Sequence, residues 1–121
     1  QSKPAMSLDI YLQKTRKCPH CAHDIDDEPR KVYSANITHN LSRMWEAAGV
    51  RDALYESDGK TAADILSVLE QGLEDMRADP ARFEKFNASN GWGTYANAVP
   101  WLAELVLACR KYPSAVVRVS K

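Results

Sequence analysis

What this chain lacks narrows it first. Lysine and arginine number 16, and so do aspartate and glutamate, so neither sign is in surplus. A nucleic-acid ligand usually shows as a basic excess or stripe, and none is expected here. No apolar run approaches the ~20 residues of a membrane span, and no basic-then-apolar leader of the secretory kind is visible. Cysteines are only three, Cys18, Cys21 and Cys109. An odd number without an export signal argues against a disulfide framework and for a reducing, cytoplasmic setting. The five glycines are scattered, so no phosphate-cradling loop can be assembled from them. No Ser or Cys sits in a nucleophile-elbow context, and no helix carries a paired-histidine metal signature.

What is present is the composition of an ordinary globule. The 121 residues are 45% hydrophobic and 26% charged, enough for one domain with a real core. Residues 1–5 read as a remnant ahead of a natural start at Met6, which leaves 6–121 as a single α+β domain. Residues 8–12 alternate apolar and polar, 31–35 are strand-like, and 116–119 are rich in β-branched side chains. Helical spacing appears at 37–48, where Ile37, Leu41, Met44, Trp45 and Ala48 share a face. Asn36 is read as its N-cap and Gly49 as its stop. A helix is expected at 62–77 behind a partial capping box, Thr61 with Asp64. A short one follows at 81–86, with Pro80 at its first position. Thr94 is read as the cap of a last helix reaching 111, which Pro100 should start or bend. Two strands, about three helices and a final strand predict a three-stranded sheet, an N-terminal hairpin joined by the C-terminal strand, with helices on one face.

Three segments carry chemistry-bearing side chains. In Cys18-Pro19-His20-Cys21, two thiolates at this spacing can grip zinc, which needs two further ligands. His20 and His23 are the local candidates, with Asp24, Asp26, Asp27 and Glu28 behind them. No second Cys-x-x-Cys exists, and the small residue after Cys21 is Ala22 where zinc ribbons commonly have Gly. The same four residues resemble the active-site sequence of thioredoxin-class disulfide oxidoreductases. That chemistry sets the first thiolate at a helix N-terminus, and no apolar helical stripe follows Cys21.

The second segment is 36–40. Asn36, Thr38, His39 and Asn40 make the densest cluster of uncharged polar side chains, at the expected start of a helix. They suit a small polar ligand, or a proton carried on His39, since histidine is the side chain that exchanges protons near neutral pH. Capping and internal hydrogen bonds are the plainer reading. The third segment runs from Gly91 to Tyr95, where Trp92 and Tyr95 can wall a pocket or anchor the loop on the core. The 36–40 turn and this loop are expected at one edge of the sheet, with His39 near Trp92 or Tyr95. Cys109 falls on an apolar helical face and reads as core.

The pieces Met6-Ser7-Leu8-Asp9-Ile10-Tyr11-Leu12, Ala35-Asn36-Ile37-Thr38-His39-Asn40-Leu41, Phe86-Asn87-Ala88-Ser89-Asn90-Gly91-Trp92-Gly93 and the ending Val117-Arg118-Val119-Ser120 together give the chain a family look. It resembles a family of small hypothetical proteins of bacterial genomes, phages and other mobile elements. The resemblance covers nearly all of 6–121 and brings no activity with it. It implies that 15–30 is a variable part, which shifts weight from the cysteines to the 36–40 and Trp92 segments. The expectation is therefore a cytoplasmic binding module for a protein or small polar ligand. An enzyme using His39 with Asn36, Thr38 and Asn40 is the alternative, and a zinc-stapled adaptor the third.

Overall fold

The computed structural model describes residues 7–14, 30–87 and 93–120. Strand β1 (Ser7–Lys14) pairs antiparallel with β2 (Arg30–Thr38) on one side and with β3 (Val116–Ser120) on the other, giving the order β2-β1-β3. The helices are α1 (Ser42–Ala48), α2 (Arg51–Tyr55), α3 (Ala62–Ala78), α4 (Pro80–Glu84) and α5 (Tyr95–Lys111). This is the expected sheet, hairpin plus C-terminal strand, flanked by helices. No helix among the described residues is long and apolar enough to cross a membrane.

Side-chain alternation sorts the sheet. Leu8, Ile10, Leu12 and Val117 are fully buried, whereas Asp9, Ser34, Asn36 and Arg118 are exposed. One face thus packs on the helices and the other faces out, as the period of two requires. The register places Leu8 opposite Ile37, Ile10 opposite Ala35 and Leu12 opposite Tyr33, with a bulge between Leu12 and Gln13. The outer edge of β3 is closed by the 57–61 loop. There Gly59 N–H donates to Val117 O, Val117 N–H donates to Lys60 O, and Val119 N–H donates to Asp58 Oδ1.

The second strand differs from the expectation in length. It continues through Asn36 and Ile37 to Thr38, and the chain enters a 3₁₀ turn at His39–Leu41 before α1. Asn36 is therefore not an N-cap. Its partner position is Asp9, and Asn36 Nδ2 donates to Asp9 Oδ1 at 2.6 Å across the strands. Burying Ile37 beside Leu8 extends the ladder, and that outweighs a helical start. Capping passes to Thr38, which is extended at φ −66° and ψ 145° and accepts Asn40 N–H on Oγ1. Helix α1 ends as expected, with Gly49 left-handed at φ 78°.

Helix α3 opens on a complete capping box. Thr61 N–H donates to Asp64 Oδ2 at 3.1 Å, and Asp64 N–H donates to Thr61 Oγ1 at 3.3 Å. In α5 the Thr94 side chain makes no capping bond. Asn87 Oδ1 takes the Tyr95 N–H instead, at 2.7 Å. The helix runs through Pro100, its sixth residue, which denies the Ala96 carbonyl the intrahelical N–H that another residue there would donate.

Candidate functional site

The 36–40 segment divides between two faces of the molecule. Asn36 lies on the outer face of the sheet, tied to Asp9. Its carbonyl accepts the indole N–H of Trp101 at 3.0 Å, which ties the end of β2 to α5. Thr38 and His39 are half-buried and Asn40 is exposed. The expected ring of Asn36, Thr38 and Asn40 around His39 does not form at Asn36.

His39 finds a partner that spacing gave no reason to expect. Its Nδ1 lies 3.0 Å from the Tyr55 hydroxyl, and the ring centroids are 5.6 Å apart with the planes tilted by 32°. Tyr55 closes α2 and is only 6% exposed. Burial pushes its phenol above the ordinary tyrosine range, and Arg51, whose guanidinium lies 5.0 Å over the ring, partly offsets that. One proton can serve the pair, either Tyr55 donating to Nδ1 or Nδ1–H donating to the phenol. That is enough to hold both rings.

The loop before α5 does reach the 36–40 turn, through Gly93. This residue is buried with φ 111°. A Cβ on it would lie 3.0 Å from Thr38 Cγ2, 3.1 Å from Asn40 Cβ and 3.3 Å from Leu41 Cγ. Only glycine meets both the backbone angle and the close approach. Trp92, expected to wall a pocket there, lies outside the described residues. Tyr95 turns elsewhere, and its hydroxyl donates to the Met76 carbonyl at 2.5 Å, joining α5 to the end of α3.

The zinc expectation is corrected. Cys18, His20, Cys21 and His23 lie outside the described residues. Among those described, no group of three or more His, Cys, Asp or Glu side chains gathers in a way that could hold a metal. The third cysteine, Cys109, is free and buried, with its thiol pushed up to about 11 by burial.

A groove that no motif announced lies between α3 and α5, with a volume of about 380 Å³, lined by Glu70, Leu73, Glu74, Arg77, Val106 and Arg110. The two helices run side by side, and apolar Leu73 and Val106 come from their facing flanks. Both are nearly buried. Arg110 spans the two helices, with Nη2 2.6 Å and Nε 2.7 Å from Glu70 Oε2. None of the residues singled out from the sequence lines it. A signal was present in Glu70, Glu74 and Arg77, which recur at helical spacing beside the α3 apolar stripe. The same spacing describes any solvated helix flank, so it did not stand out. No protein-family model, curated protein or solved structure matches the chain.

Proposed function

We propose that this chain is a small non-catalytic binding module of the cytoplasm that docks a protein segment in the groove between α3 and α5. The observation that carries this reading is the lining of the groove: an apolar floor at Leu73 and Val106, rimmed by Glu70, Glu74, Arg77 and Arg110. An apolar centre within a polar rim is the anatomy of a protein-binding surface. Rims of both signs select a segment whose apolar side chain is flanked by an acid and a base. The cytoplasmic setting rests on the odd cysteine count. The mobile-element origin rests on the family resemblance alone.

The test is a titration of the isotope-labelled chain with short amphipathic helical peptides that carry a Leu between Glu and Arg, and with matched peptides in which that Leu is Ser. Amide signals of residues 70–77 and 106–110 are expected to shift with the Leu peptides only. Shifts confined to 38–40 and 55 would sink the reading.

The alternative, an enzyme using His39, is favoured by one observation, the hydrogen bond to Tyr55 that gives a proton a route. It is weakened by Asn36, which is engaged with Asp9. The two readings part at His39→Ala. As a binding module, the protein loses about 1–3 kcal/mol of stability on losing the ring contact and its hydrogen bond, and peptide binding at the groove persists. As an enzyme, the variant melts close to the parent and loses its ligand.

A further inference from the structure

We propose that the α3–α5 groove receives Leu107 from a second copy of this chain, so that two chains dimerise about a two-fold axis through that face. The inference rests on the groove being the binding surface, and it names what the groove binds. The chain itself carries the kind of segment that the groove selects. Leu107 is 60% exposed, the most exposed of the large hydrophobics described. It follows Val106 on the groove floor and precedes Arg110 by three residues. Helical geometry therefore sets it about 60° around α5 from Arg110, on the solvent side just outside the groove. Glu104 and Arg110, three residues to either side, are its acid and base.

Charge fits a second copy and disfavours a foreign partner of one sign. The groove holds two acids and two bases. Glu70 and Arg110 are joined within each copy. Glu74 and Arg77 take part in none of the ion pairs among the described residues. A two-fold axis presents a patch to itself, so a stable contact needs opposite charges side by side on that patch. Glu74 and Arg77, three residues apart on α3, meet that need: Arg77 of each copy faces Glu74 of the other. A partner of one sign would be repelled by one of them for each attraction to the other. The formal net charge of zero adds no long-range repulsion between copies.

Sedimentation velocity on the full chain, from micromolar to millimolar concentration and at low and high salt, tests this. A monomer–dimer equilibrium that weakens with salt is expected. Leu107→Glu returns the chain to monomer, and at concentrations where the parent is also monomeric its melting temperature is unchanged, because the side chain is exposed. Arg77→Glu and Glu74→Arg each raise the dissociation constant by about tenfold or more. Mixing those two variants restores pairing between unlike chains, since each then meets its complement, and a folding defect cannot give that result. A chain that stays monomeric throughout, or a dimer indifferent to all three substitutions, overturns the inference. In the monomeric case the peptide titration separates the two claims. Groove signals that still shift leave the groove reading standing, and signals that shift with no peptide sink both.

Discussion

An Ala at position 72 would place its Cβ 2.2 Å from Val50 Cγ1 and 3.0 Å from the Ala48 carbonyl. In an exposed helix interior the same change gains about 1 kcal/mol. Here the neighbours cannot give way cheaply, because Val50 is buried and stiff at χ1 and Ala48 presents backbone. Gly72→Ala is therefore expected to lower stability by about 1–3 kcal/mol in chemical denaturation. Val50→Ala leaves a cavity and also costs stability. The double variant should lose less than the sum of the two, because each change relieves the other. The His39–Tyr55 pair poses the same question for a polar group. The type of His39 and its polar neighbours marked it as notable, but not which residue it would meet. Tyr55 is 16 residues away, and no local periodicity links the two.

Helix starts in this protein were decided by competition. Thr61 and Asp64 form the box that their spacing suggests, in both directions. The bonds from Thr61 hold the Asp64 carboxyl below the ordinary carboxylate range. The sign follows from linkage. A lowered folded pKa contributes stability above the ordinary carboxylate range, and that stability is lost as pH falls through the lowered value. The melting temperature of the parent should fall through this acid window more than that of Asp64→Ala, and the two curves should converge at its lower end. Because Asp64 is exposed, the difference will be small and will shrink in salt. Asn36 shows the opposite outcome. It has the right side chain for a cap, but the cross-strand partner Asp9 takes it, and Thr38 caps the turn instead.

The packed molecule as a whole sets the accessibility of Cys109. It is fully buried on α5, and burial alone raises its thiol to about 11. Thiolate is the reactive form, so native Cys109 is expected to resist alkylation at mildly alkaline pH. Mass mapping of the labelled peptide over time should show a rate that rises with urea in step with global unfolding. Rapid labelling in the absence of denaturant would show that α5 opens locally. By linkage, the raised thiol contributes stability below the ordinary thiol range of ~8.5, and that contribution is lost as pH climbs from there through about 11.

The sequence by itself determined the classes of element and much of their order. A period of two at 8–12 and of 3.6 at 62–77 reflects which side chains meet water, and that follows from local geometry. The sheet could be assembled from these periods because Leu8, Ile10, Leu12 and Val117 all point one way. The same logic read Cys109 as core. What only the tertiary structure decided were partnerships between distant residues. These are Asn36 with Asp9, His39 with Tyr55, Gly72 against Val50, and Gly93 against Thr38, Asn40 and Leu41. Each depends on how two separately legible elements approach, to within a few tenths of an ångström. The groove belongs to this second kind. Glu70, Glu74 and Arg77 read as a solvated flank until α5 brings Val106 and Arg110 beside them, and only the packing of two helices turns two ordinary flanks into one concave surface.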